Sequence, residues 1–243
     1  MTSLICVLFF LSGAAALLFE TLWFQQAGLV LGNSIWASSL VMAAFMGGLG
    51  IGNGLAARLG RHIANPIQAY AFLEILIGAT GVALVYGLPM TMPLIARLLH
   101  PFLDEAWLQQ FVRLVVAFSL LLLPSTAMGA TLPLLVKELF AQDHLFGRVL
   151  GRLYGWNTLG AVAGAFVGHS LMMSSLGIRG SAWLAAATNL IAASIAGWIG
   201  RKQKRPKATL TVENRAATIS LRGTWLLVGA GLCGAIMLAL EVV

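Results

Sequence analysis

Charge is the scarcest commodity in this sequence. Only 9% of its 243 residues are Asp, Glu, Lys or Arg, eight acidic against 15 basic. Soluble domains carry roughly 25%, so the chain has too little charge to cover a water-facing surface. Cysteine is nearly absent: Cys6 and Cys233 both sit in apolar runs, which excludes a disulfide framework or a thiolate metal cluster. His169 is a lone histidine within an apolar run with no second His, Cys or Asp at ligand spacing, so no metal site is expected. A glycine-rich stretch at Gly47, Gly48, Gly50, Gly52 and Gly54 has no strand before it and no acidic residue after it, as a dinucleotide-binding turn would need. No Ser-His-Asp or Cys-His set and no phosphate loop can be assembled, so no catalytic residue and no cofactor is expected.

What is abundant is hydrocarbon. Hydrophobic residues make up 59% of the chain, and mean hydropathy is +0.90. About 20 helical residues cross a bilayer core of about 30 Å. Apolar runs of that length are expected at about 4–30, 35–55, 67–88, 110–132, 153–176 and 181–200. A seventh begins near Thr224 and continues to Val243. Pro89 and Pro93 read as breakers, leaving Met90–His100 as a short amphipathic or re-entrant piece, and Lys137–Arg152 reads as an amphipathic linker. The first run continues past Ala14–Ala16 without a basic leader, so it is expected to be a retained helix rather than a signal peptide. The fold class is therefore an all-α integral membrane protein. Residues 1–200 form a six-span bundle, 201–223 a basic linker, and 224–243 the first span of a second repeat.

The net charge of +7 does not point to nucleic acid, because the basic residues lie between the apolar runs. With the N-terminus in the cytoplasm, 12 of the 15 fall on the cytoplasmic side, leaving Arg97, Arg113 and Arg179 outside. An internal match supports repetition: Gly13-Ala14, Leu17 and Glu20 have the spacing of Gly234-Ala235, Leu238 and Glu241. Two related halves are common in transporters, and the chain is expected to hold one half and the start of the next.

Buried ionisable groups are the candidate site residues, since a charge at mid-membrane is costly and kept for a purpose. Glu20 is a counter-charge for a cation, a proton-coupling site, or a helix-packing acid bonded to Asn157, Thr158 or Ser39; Glu241 inherits the same readings. Glu74 shares a helix face with Gly78, Gly81 and Val85, and either reaches an aqueous vestibule or pairs with Arg58 or Arg61. His169 is a packing histidine or a proton relay. Gly160, Gly164 and Gly168 recur every four residues and predict close helix approach. Trp23 and Trp36 flank the first turn and read as an interfacial belt.

Gly54-Leu55-Ala56-Ala57-Arg58-Leu59-Gly60-Arg61-His62 resembles the loop motif of the major facilitator superfamily. The resemblance implies a gating role for Gly54, Arg58, Gly60 and Arg61, although Ala57 replaces the usual acid. A broader likeness rests on Leu11-Ser12-Gly13-Ala14-Ala15, Glu20, Leu22-Trp23-Phe24 and Leu31-Gly32-Asn33-Ser34. It continues through Ala44-Phe45-Met46-Gly47-Gly48-Leu49, Leu123-Pro124-Ser125-Thr126-Ala127-Met128-Gly129-Ala130-Thr131-Leu132-Pro133 and Gly151-Arg152-Leu153-Tyr154, ending at Asn157-Thr158-Leu159-Gly160-Ala161. These blocks resemble the fused membrane/spermidine synthase-like proteins of bacteria. Gln25 and His169 depart from the family pattern. The resemblance implies a transporter-like region in a bacterial inner membrane, followed by a second half and an aminopropyltransferase-like domain that this sequence lacks. Three functions remain open: an anchor for that domain that also handles a polyamine or related cationic amine, a major-facilitator-like secondary transporter cut short, or a structural anchor. The implied partners are the lipid bilayer, a small cationic amine and the missing repeat and domain; nucleic acid is not among them.

Overall fold

The computed structural model describes residues 2–31, 35–100, 105–140, 145–202 and Gly229. All regular structure among them is helical: α1 Thr2–Leu31, α2 Ile35–Leu59, α3 Pro66–Leu99, α4 Ala106–Phe140, α5 Phe146–Val167 and α6 Met173–Lys202. Five of these, all except α5, are long and apolar enough to cross a membrane. The protein is a multi-pass membrane protein. α5 falls short because it carries Arg148, Arg152, Tyr154, Asn157 and Thr158. The basic linker and the seventh apolar run, including Glu241, lie outside the described residues.

Local sequence explains most of the boundaries. A short 3-10 turn, Gly60–His62, ends α2. Asn65 then caps α3, its Oδ1 accepting from the Gln68 amide at 3.3 Å, with Pro66 in the first turn. Gly177 has φ 65° and ψ −177°, a backbone state reserved for glycine, and marks the bend before the main shaft of α6. A five-residue π-turn, Gly168–Met172, joins α5 to that bend.

Two expectations need correction here. Met90–His100 is no re-entrant piece: α3 runs unbroken through Pro89 and Pro93 to Leu99. Likewise α4 runs through Pro124 and Pro133 to Phe140, and α5 begins at Phe146, so most of the expected linker is helix. In a lipid-embedded bundle, neighbouring groups offset the bond a proline removes.

The helices pack by a simple scheme. α1 lies mainly against α5, α6 and α3; α4 lies mainly against α2 and α3; and α3 lies against α6. Exchanging the first three helices for the last three preserves the principal pairs α1–α5, α1–α6, α4–α2, α4–α3 and α3–α6. The two tightest crossings even share a register. A side chain at Gly52 would fall on the Thr126 carbonyl, and one at Gly129 on that of Leu49. A side chain at Gly160 would fall on the Phe10 carbonyl, and one at Gly13 on that of Asn157. In both crossings each helix offers a carbonyl and, three residues later, a glycine. Gly164 meets the Ala14 carbonyl, and Gly168 meets the Leu18 side chain.

α1 and α3 run parallel and are joined by a ladder of side-chain bonds. Tyr70 donates to the Leu8 carbonyl, Ser12 to Glu74, Trp23 to the Gly81 carbonyl and Gln26 to the Val85 carbonyl. Trp23 therefore does not belong to an interfacial belt. It is buried and stacked on Phe19, with ring centroids 5.5 Å apart. The indole N–H needs an acceptor, and the backbone exposed by Gly81 supplies one. The side chain of Trp36 lies outside the described residues.

Candidate functional site

Between the two tight pairs lies a cavity of about 340 Å³, walled by α1, α2, α4 and α5. Its polar lining comes from Ser12, Glu20, Asn53, Thr131, Tyr154 and Asn157, set among Phe9, Phe45, Met46 and Met128. Glycines make this possible: Gly13, Gly50 and Gly129 contribute lining without side-chain bulk. A mostly apolar pocket with a few convergent polar groups is the usual form of a small-molecule site. Glu20 is half-buried here and engaged by other groups. A single carboxylate amid amide and hydroxyl oxygens suits an ammonium group, which offers only donors.

A second, wider pocket of about 930 Å³ shares Asn53, Leu132 and Tyr154 with the first. It continues between α2, α4 and α5 past Val136, Phe140, Phe146 and Gly147. This leads to the end of the bundle that carries Arg58, Arg61, Lys137 and Arg148. The cavity thus adjoins a vestibule at the basic end.

The expected site residues divide. Glu20 and Asn157 meet in the cavity. Glu74 does not line it, and it pairs with neither Arg58 nor Arg61. Glu74 is wholly buried and bonded to Ser12, at 2.5 Å from Oγ to Oε1. Burial at the α1–α3 contact places it behind the cavity wall, and Ser12 stands between. The His169 side chain and Glu241 lie outside the described residues. Gly54 and Arg58 are exposed on α2, and the Arg61 Nε donates to the neighbouring His62 Nε2 at 3.0 Å. The Gly60–Ile63 turn is held from α4: Lys137 Nζ donates to the carbonyls of Gly60 at 2.7 Å and Ile63 at 2.8 Å. That fastening was not foreseen from sequence, nor were Asn53 and Tyr154 as lining residues. Asn53 is the lone polar residue in a run of glycines and aliphatics, which is the signal that could have found it. Among the described residues no group of His, Cys, Asp and Glu could hold a metal ion.

With this geometry in place, comparison with known proteins gives one informative likeness. The chain is similar to a polyamine aminopropyltransferase. That protein, Polyamine aminopropyltransferase 1 of Streptomyces coelicolor, is 29% identical over 176 residues, covering 65% of this chain and 30% of the relative. The chain thus spans less than a third of the length of the relative it matches. No family model matches the sequence. No solved structure matches it either.

Proposed function

We propose that this chain is the membrane region of a spermidine synthase-like protein in a bacterial inner membrane, and that its cavity binds a polyamine or a related cationic amine. The observation that carries the reading is the convergence of Glu20, Asn53, Tyr154 and Asn157 on one cavity. Glu20 pairs with one ammonium group, while the amide and phenol oxygens accept from others. The adjoining vestibule gives access from the basic end, which the positive-inside rule assigns to the cytoplasm. There a transferase-like domain would stand, and the similarity to an aminopropyltransferase supports an amine as the occupant. The helices anchor that domain and hold its substrate or product at the membrane.

A second reading, half of a secondary transporter with a second repeat beyond residue 224, draws support from the exchange symmetry of the helix pairs. Inverted three-helix units of this kind occur within transporter halves. Both readings place a cation at Glu20. The simple-anchor reading does not.

The test is spermidine binding by isothermal titration calorimetry on the purified chain in detergent. Glu20→Gln removes the charge and keeps the shape. A charge-assisted bond contributes about 1.5–3 kcal/mol, so affinity should fall by about 10- to 150-fold. Equal affinity in the two forms would refute Glu20 as the cation site, and no binding by either would leave only the anchor.

A further inference from the structure

Glu74 is not part of the cavity, yet one side chain links it to the cavity. Ser12 belongs to the cavity wall, and its hydroxyl lies 2.5 Å from Glu74 Oε1. Glu74 is 0% exposed and its other oxygen, Oε2, has no hydrogen-bond partner. The groups found nearest to it are neutral. On α3, Tyr70 lies one turn earlier with its hydroxyl donating to the Leu8 carbonyl. α1 brings Ser12. α6 brings Asn189 beside Gly78, one turn on; Asn189 is 0% exposed and neither Nδ2 nor Oδ1 is hydrogen-bonded. α4 brings Leu135 and Leu139 to the Tyr70 side. Among the described residues no Lys, Arg or His pairs with Glu74.

An unpaired carboxylate in such an interior costs far more than the neutral acid. A neutral carboxyl keeps the Ser12 bond, because a hydroxyl both donates and accepts. The same contact therefore serves both protonation states, and its serine is part of the cavity wall.

We propose that Glu74 is a proton-binding site that opens into the Glu20 cavity through the Ser12 hydroxyl. On release, the Glu74 O–H bond breaks as its proton joins Ser12 Oγ. The original Ser12 O–H bond breaks at the same time and passes its proton to water in the cavity. Glu74 is left as carboxylate, Ser12 is unchanged and the water becomes hydronium; uptake is the reverse. A cation held at Glu20 favours the carboxylate form, so its binding displaces the proton. This last coupling rests on the function proposed above, whereas the proton site does not.

Infrared difference spectroscopy on the full chain in lipid films tests both parts. The wild type should show a protonated carboxyl band that Glu74→Gln removes and that shifts when H₂O is exchanged for D₂O. Should Glu74→Gln fail to fold, Glu74→Asp moves the band and serves the assignment. Ser12→Ala should keep the band and slow its shift by about tenfold or more, the effect of losing one hydrogen bond, with backbone amide exchange unaltered. A missing carboxyl band, or one that survives in Glu74→Gln, overturns the proposal. So does wild-type exchange in Ser12→Ala. Added spermidine should diminish the band in wild type but not in Glu20→Gln. If spermidine binds and the band does not move, the coupling is refuted while the amine site stands. If spermidine fails to bind, the amine function falls and the band assignment still decides the proton site.

Discussion

Gly52→Ala and Gly54→Ala differ by two positions on one helix, and the structure predicts opposite outcomes. Alanine is favoured over glycine inside a helix by about 1 kcal/mol. At Gly54 an added methyl meets nothing within 4 Å, so the variant should gain up to that amount. At Gly52 the methyl falls on the Thr126 carbonyl and close to the Ala130 amide. These are backbone atoms of α4, and no side-chain rotation relieves the clash. Overpacking of this kind costs about 1–3 kcal/mol, with the upper end expected where backbone must shift. The pair should therefore differ by about 1–3 kcal/mol, Gly52→Ala being the weaker. The reciprocal crossing supplies an independent copy: Gly160→Ala against the unobstructed Gly155→Ala should show the same gap. Unfolding in mixed micelles with rising SDS, followed by tryptophan fluorescence and helical circular dichroism, measures it. Equal midpoints within both pairs would refute the tight-crossing argument.

Gly177→Ala should lose about 1–3 kcal/mol in the same assay, because φ 65° with ψ −177° strains any residue bearing a Cβ; stability equal to wild type would show that the bend relaxes freely. Lys137→Met keeps the chain length but removes the bonds to Gly60 and Ile63. It should weaken the bundle by about 1.5–3 kcal/mol and speed protease cleavage near residues 60–65, read by mass spectrometry; an unchanged cleavage rate would contradict the fastening role.

The apolar runs made the membrane class plain, and the glycine spacing at Gly160, Gly164 and Gly168 lies on the face that meets α1. The proline positions misled for a physical reason: in water a proline stops a helix, while in lipid the surrounding bundle tolerates it. Thus Met90–His100 reads as a separate piece in the sequence and as helix in the structure. The spacing puts Glu74 on one face with Gly78 and Gly81, and in the structure Gly78 meets Asn189 and Gly81 meets Phe19. Its partner was another matter. Sequence separation ranks Arg58 and Arg61 as near neighbours, yet the bond goes 62 residues back to Ser12. Glu20 and Asn157 could be named as interior polar groups, but only the crossing of α1 with α5 brings them to one cavity.

The two glycine locks constrain how that cavity can change size. Within each locked pair, α1 with α5 and α2 with α4, main chain rests on main chain and has no slack to give. α1 barely touches α2, and α4 barely touches α5, so the joins between pairs run chiefly through α3 and α6. The six helices of residues 2–202 are arranged like a hinged book: two stiff covers, a spine of two helices, and the acid on the inner page of one cover. Widening the space around Glu20 therefore means turning the covers about the spine, a movement that leaves each cover intact.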